Sequence, residues 1–267
     1  MYKYLNLLNL DVVLGAVICS MAFAEILKVE VEWSSYLLLS LTVWSIYTFD
    51  RLLDSLRSDG GNRSERHYFH HKNRIPLTSL IIVSIIVSVA LVPLLPYKTL
   101  VWGVVLMGVV LAYLITIHSL KIKWLVHKEL VIGIVYTCGV LLGPVSIFSG
   151  EFDGSFYLLC TIFFLTVLNN LFIFSLYDEH FDILAKFPSL VTVCGARMVK
   201  GLIIALFSIA AMLNALVFLH LNLLVSTVFL SMLFMLFLVF WFSQNPFFKS
   251  HYRLLGDAIF LFPIVIL

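Results

Sequence analysis

Long apolar runs fill this chain, and short polar stretches separate them. Nine runs are legible: 5–27, 34–56, 75–95, 98–118, 129–149, 155–177, 196–219, 221–243 and 252–267. Crossing a bilayer takes about 20 predominantly apolar residues in a helix, so each run predicts a transmembrane helix. The seventh and eighth runs are nearly continuous, which predicts a tight turn near His220. The ninth is the shortest, reaching only about 24 Å at a helical rise of about 1.5 Å per residue. Nine spans would use about 180 residues, leaving short connections and no tract for a further domain. The expected architecture is an all-α polytopic membrane protein, nine transmembrane helices in a single domain over residues 1–267.

Composition agrees with that pattern. Hydrophobic residues make up 62% of the 267 positions and charged residues only 12%, with a mean hydropathy of +1.07. Soluble domains are about 45–50% apolar and about 25% charged. A soluble globular domain, a disordered chain and a nucleic-acid-binding module are thereby excluded. Cys19, Cys138, Cys160 and Cys194 form no CxxC pair and read as small core residues. Lys3 followed by an apolar run and Ala22-Phe23-Ala24 loosely mimics a signal peptide. Asn6, Asn9 and Asp11 interrupt the would-be apolar region, so the segment is kept as the first helix.

The few charges are unevenly placed. By parity, connections 2–3, 4–5, 6–7 and 8–9 share one membrane face. They carry Arg51, Arg57, Arg63, Arg66, Lys72 and Arg74, then Lys121, Lys123 and Lys128, then Lys186, Arg197 and Lys200, then Lys249 and Arg253. Lys3 joins them, and of the 17 basic residues only Lys28 and Lys98 remain for the other face. The positive-inside rule makes the rich face cytoplasmic. The expectation is an integral protein of a cell (inner) membrane with its N-terminus and polar face in the cytoplasm.

Two segments on that face carry matching acids. The second run ends in Tyr47-Thr48-Phe49-Asp50-Arg51-Leu52-Leu53-Asp54, and the sixth leads into Tyr177-Asp178-Glu179-His180-Phe181-Asp182. Each holds D-x-x-x-D, and the two aspartates recur at one common offset. An even number of spans separates the two helices, so a parallel internal duplication is expected. Residues i and i+4 share one helix face with Cβ atoms about 5–6 Å apart, where two carboxylates repel. A helix C-terminus adds to the penalty, because the macrodipole there disfavours negative charge. A cation reverses both effects. Mg²⁺ suits such a site, since it binds through a few carboxylates together with substrate phosphate oxygens and retained waters. Nearby Lys and Arg would neutralise the rest of a diphosphate. The 39 aromatic residues implied by 23 Phe, 5 Trp and 11 Tyr suit an isoprenoid chain and an allylic cation. Other readings stay open: acids solvated at the headgroups, or the ion site of a cation-coupled transporter. A CDP-alcohol phosphotransferase would carry D-G-x-x-A-R, which Asp59-Gly60-Gly61-Asn62-Arg63-Ser64 does not match.

At these motifs the chain resembles the UbiA superfamily of intramembrane prenyltransferases. Phe49-Asp50-Arg51-Leu52-Leu53-Asp54 fits the second half of the family's first motif, approximately N-D-x-x-D-x-x-x-D. The Asn and first Asp of that motif fall on Ile46 and Tyr47, so the motif is incomplete and the chain a divergent member. Asp178, Asp182, Lys186, Ser189-Leu190 and Gly195 fit the order of the second motif. Tyr113, Lys121 and Lys123 fill the places of the family's Tyr and Lys near the end of the fourth helix. The resemblance covers most of the chain in layout and is specific at the two motifs. It implies a nine-helix UbiA-like bundle and a Mg²⁺-dependent enzyme with Asp50, Asp54, Asp178 and Asp182 as metal-binding catalytic residues. Lys121, Lys123 and Arg57 would clamp phosphate, with Tyr113 and Lys186 beside the substrate. The activity implied is ionisation of a polyprenyl diphosphate and transfer of its prenyl group. Terpene cyclisation on the same scaffold is the nearest variant. The implied partners are the diphosphate substrate and the lipid bilayer; the residues name no protein partner.

Several polar residues stand outside the motifs. Asp11 inside the first helix is a candidate for the cavity wall, and so is Asn170 or its neighbour Asn169. Glu129 suits the start of its own helix as a dipole partner. His67, His70 and His71 lie in a basic aromatic stretch that reads as a loop: interfacial or closing on phosphate, simply solvated, or binding zinc. Asp59-Gly60-Gly61-Asn62 would permit a mobile lid. Asp257 has no assignment.

Overall fold

A computed structural model describes residues 2–57, 65–118, 128–185, 189–220 and 223–267. Lys121, Lys123, Lys186 and the lid stretch 59–62 lie outside the described residues. So does the side chain of Arg57, although its backbone is helical. Every described element is helical: α1 Tyr2–Leu7, α2 Leu10–Leu27, α3 Trp33–Arg57, α4 Glu65–Lys72, α5 Arg74–Leu91, α6 Tyr97–His118, α7 Lys128–Ile147, α8 Gly154–Ala185, α9 Leu190–Cys194, α10 Ala196–His220, α11 Leu223–Trp241 and α12 Pro246–Ala258. A 3-10 segment, Ile259–Ile266, continues α12.

Seven helices (α2, α5, α6, α7, α8, α10 and α11) are long and apolar enough to cross a membrane. The chain is an integral membrane protein. α3 has 25 residues, but Ser34, Ser35, Ser40, Ser45, Thr48 and Asp50 make it more polar than those seven. The last segment changes type part-way. α12 begins at Asn245, whose side chain accepts from the Phe247 N–H with Pro246 at the first helical position, an ordinary start signal. Pro263 then sits inside the 3-10 stretch.

α8 lies centrally, packing on α7, α9, α10, α11 and α12. Its 32 residues span about 48 Å at about 1.5 Å each, against a hydrocarbon thickness of about 30 Å. It extends past the run 155–177 and carries Asp178 and Asp182 on its last turns. The core joins Ala16, Cys19 and Phe23 of α2 to Leu159, Ile162, Phe163 and Ile173 of α8 and Phe229 and Met232 of α11. Ala22 and Phe23, within the signal-like triplet, are 1% exposed. All four cysteines are free.

Two local features differ from the simple run pattern. The first segment is broken at Asn9, which adopts left-handed backbone (φ 60°) between α1 and α2. Asn tolerates this region better than most residues, and its buried amide donates to Thr48 Oγ1 of α3 at 3.2 Å. The basic aromatic stretch expected as a loop is helical over Glu65–Lys72, with His70 fully buried.

Candidate active site

Both aspartate pairs lie on the C-terminal parts of long helices, Asp50 and Asp54 on α3 and Asp178 and Asp182 on α8. All four are half-buried. The Lys128 ammonium, at the start of α7, lies within electrostatic range of Glu129, Asp54, Asp50 and Asp182. Tyr113 on α6 lies within electrostatic range of Asp50, Glu129 and Asp54. Helices far apart in sequence thus bring both pairs, Tyr113 and Lys128 into one polar region.

Each carboxylate of the second pair has protein partners. Tyr252 of α12 donates its hydroxyl to Asp178 Oδ1, and Arg253 forms an ion pair with Asp178 Oδ2. Arg253 Nε also donates to Tyr252 Oη at 3.0 Å. The guanidinium lies over Phe174 (5.3 Å) and Tyr252 (5.5 Å), the geometry of cation–π attraction. Tyr252 stacks on Tyr177 at 4.4 Å and 3°, and Tyr177 is anchored by its hydroxyl to the Val239 carbonyl at 2.7 Å. Asp182 interacts with the Ser189 hydroxyl and with Lys128.

A second, deeper group of charges adjoins the first. Asp11 is 3% exposed and Asp257 7% exposed. Asp11 accepts from Asn6 Nδ2 at 2.5 Å, and Arg51 donates to the Asn6 carbonyl at 3.3 Å. Asp257 accepts from Asn170 Nδ2 at 3.5 Å. Arg51 interacts with Arg253, Asp257 and Asp11, and Asp257 with Asp11, Arg253 and Arg51. Buried charges persist where they are paired and hydrogen-bonded. Asp11 and Asn170 are therefore brought together with two arginines that sequence reasoning counted as loop charges, and with Asp257, which it left unassigned. The available signal was only that these charges interrupt or flank apolar runs. Asn169, next to Asn170, is fully buried in the core.

Glu129 is buried and accepts the Leu190 backbone N–H at 2.9 Å. It thus satisfies the start of α9 as well as standing in the first turn of α7. Ser175 Oγ accepts the next N–H, from Val191, at 3.3 Å. These two contacts tie α9 to α7 and α8 beside Asp182. A groove of about 390 Å³ runs between Leu52 and Leu56 of α3 and Arg74, Ile75, Thr78 and Ser79 of α5. None of the four aspartates lines it, so it is separate from the carboxylate site.

No protein-family profile matches the chain, and no curated protein matches it. Solved structures do. A UbiA homologue from Archaeoglobus fulgidus bound to DMAPP and Mg²⁺ superposes with a TM-score of 0.64 at 12% identity, covering 99% of this chain and 98% of that one. Its structure bound to GPP and Mg²⁺ gives 0.60 at 14%, over 99% of each chain. A UbiA homologue from Aeropyrum pernix K1, in its apo form, gives 0.67 at 15%, over 96% of this chain and 97% of that. The chain has the UbiA fold. The likeness runs nearly end to end, so all the helices that carry the polar region are included in it.

Proposed function

We propose that this UbiA-fold chain is a Mg²⁺-dependent intramembrane prenyltransferase that ionises a polyprenyl diphosphate and passes the prenyl group to an acceptor. The observation that carries this reading is that α3 and α8 each bear a D-x-x-x-D pair on their C-terminal parts, in a fold matched nearly end to end by UbiA homologues. Support comes also from the Archaeoglobus homologue, which holds prenyl diphosphates with Mg²⁺. In this reading nine helices cross the membrane, α3 and α12 with its 3-10 extension adding to the seven apolar ones. The aspartates then face the cytoplasm of a cell (inner) membrane.

Among the described residues no three His, Cys, Asp or Glu side chains cluster as a self-sufficient metal cage. Mg²⁺ does not need one, since it is commonly bound by one or two carboxylates plus substrate phosphates. The Asp50–Asp54 pair fits that demand. Asp50 and Asp54 would hold the ion, which supplies positive charge to the departing diphosphate when bound. The chain's own groups do the rest. Lys128 faces the diphosphate as a fixed cation, with Lys121, Lys123, Lys186 and Arg57 proposed as further clamps and Tyr113 beside them. The reaction breaks the bond between the allylic carbon and oxygen; diphosphate leaves with the electron pair. An acceptor atom, or a double bond of the same chain, captures the cation. Phe174 and Tyr252 already carry a guanidinium on their faces, and such faces stabilise cationic charge. Such a reaction requires that water be kept from intercepting the cation, which calls for an enclosed apolar cavity around the prenyl chain.

The test is purified protein in lipid with Mg²⁺ and prenyl diphosphates of several chain lengths, following diphosphate release with and without membrane extract. Release that needs extract marks transfer to an acceptor. Release without extract, with a cyclic product, marks cyclisation. Uptake of a cation into vesicles without any release would instead support a carrier.

A further inference from the structure

Deeper than the diphosphate carboxylates, the bundle holds polar atoms that its own side chains leave unsatisfied. Asp257 stands one turn of α12 after Arg253, the partner of Asp178. Its carboxylate accepts from Asn170 Nδ2 at 3.5 Å, long for a hydrogen bond. Asn170 precedes Asp178 on α8 by about 12 Å of helix, at about 1.5 Å per residue. Both residues therefore lie on the side toward which a prenyl chain would extend from its diphosphate. Tyr136 of α7 packs on the same part of the last helix. Its ring lies 5.6 Å from that of Phe260, three residues after Asp257, and residues three apart share a helix face. Its phenol is within electrostatic range of Asp257 and Asp11. Asn170 and Tyr136 are buried, yet Asn170 Oδ1 and Tyr136 Oη have no hydrogen-bond partner. Such orphans are costly and uncommon. The two are complementary: the amide oxygen accepts, and the phenol can donate. A hydroxyl group brought between them would accept from Tyr136 and share its proton between Asn170 and Asp257. A hydrocarbon double bond would satisfy neither.

We infer that Asp257, Asn170 and Tyr136 hold a hydroxyl group of the prenyl acceptor, and that Asp257 takes its proton. In this step the bond between the allylic carbon and the diphosphate oxygen breaks, and diphosphate leaves with the electron pair. A lone pair of the acceptor hydroxyl forms the new carbon–oxygen bond. The hydroxyl proton passes to the Asp257 carboxylate, and the product is a prenyl ether. A site that excludes water needs a base of its own for that proton. Asp257 is a catalytic residue in this role, while Asn170 and Tyr136 orient the acceptor. The charged and titratable groups around Asp257 are Asp11, Arg51, Arg253, Tyr47 and Tyr136. The inference rests on the prenyl-transfer reading and adds the class of its acceptor.

The experiment uses the full-length protein in lipid with labelled prenyl diphosphates, and membrane lipid extract as the source of acceptor. Diphosphate release and labelled product are followed for wild type, Asp257→Asn and Tyr136→Phe, each with its unfolding temperature. The expected product is a prenyl ether by mass spectrometry. Asp257→Asn lowers kcat for transfer by about a hundredfold or more, with KM for the prenyl diphosphate within about threefold. Tyr136→Phe removes a hydroxyl that no protein group holds, so its unfolding temperature stays level or rises. The amount of extract that half-saturates transfer should nevertheless rise by about fivefold or more. A purely structural polar cluster, its orphans met by water, would leave that amount unchanged. The inference is overturned if Asp257→Asn transfers at the wild-type rate, if Tyr136→Phe needs no more extract, or if the product is a cyclic hydrocarbon or an ester. Should Asp257→Asn fail to fold, Tyr136→Phe and the product decide. Wild type that releases no diphosphate removes the enzyme reading and this inference with it. Wild-type transfer that both variants keep removes this inference alone.

Discussion

Arg253 and Asp178 join the C-terminal helix α12 to the second aspartate pair on α8, across 75 positions of sequence. The contact makes the last helix part of the polar site rather than a peripheral span. A double-mutant cycle on the pair should show strong coupling. Arg253→Ala and Asp178→Ala should each lower the unfolding temperature in detergent, and the double variant should lose less than their sum. Coupling of roughly 0.5–3 kcal/mol is expected for contacting charges. Additive losses would mean that the pair contributes nothing beyond its separate residues.

The deeper charges should matter more for stability. Asp257 is buried beside Asp11, Arg51 and Arg253. Asp257→Ala leaves the arginines with one acid fewer and the Asn170 amide without its partner. Breaking a buried pair by removing one member costs about 3–5 kcal/mol. A clear fall in unfolding temperature is expected, larger than for Glu151→Ala at an exposed connection. Equal effects for the two variants would contradict this placement.

How much of this was legible follows from how each signal is carried. The apolar runs encode the helices because hydrocarbon demands a continuous stretch, and that demand is local. The two aspartate pairs are legible because they repeat. Asp257, Arg51 and Arg253 carry no such repetition. Arg51 sits between Asp50 and Asp54, and Arg253 and Asp257 fall in the first part of the last run; charges toward the ends of apolar runs ordinarily meet headgroup water. Only packing of α2, α3, α8 and α12 brings them near one another, over separations as long as that from Asp11 to Asp257. The break at Asn9 was hidden for a related reason: left-handed backbone at one residue leaves hydropathy unchanged. The helical form of Glu65–Lys72 was obscured by its histidines and charges, which read as loop.

Glycine contacts give a local test of the same packing. A Cβ on Gly256 would meet Asn170 Oδ1 and stand 2.6 Å from Cε1 of Phe174. Gly256→Ala should therefore destabilise by about 1–3 kcal/mol, the usual cost of overpacking. Gly201 on α10 has nothing within 4 Å. Gly201→Ala should be neutral or stabilising by up to about 1 kcal/mol through helix propensity. Unfolding temperatures of the two variants check the contrast; the reverse order would contradict the packing of α12 on α8.

Glu129 offers a test of the connection beside Asp182. Glu129→Gln keeps an oxygen that can accept the Leu190 N–H, whereas Glu129→Ala leaves that N–H unsatisfied. Hydrogen exchange at residues 190–194 should rise in Glu129→Ala by at least about tenfold, which is about 1.4 kcal/mol of lost protection. Glu129→Gln should stay near wild type. Similar exchange in all three proteins would show that this contact does not hold α9.

The proposed enzyme stands or falls on the first aspartate pair. The decisive measurement is Mg²⁺-dependent diphosphate release from prenyl diphosphates by wild type, Asp50→Asn and Asp54→Asn, each in lipid and each with its unfolding temperature confirmed. Release by wild type that stops on chelation, and falls by roughly two orders of magnitude or more in either variant, is the predicted result. No release from any chain length by the folded wild type, or release undiminished in both variants, would contradict the account.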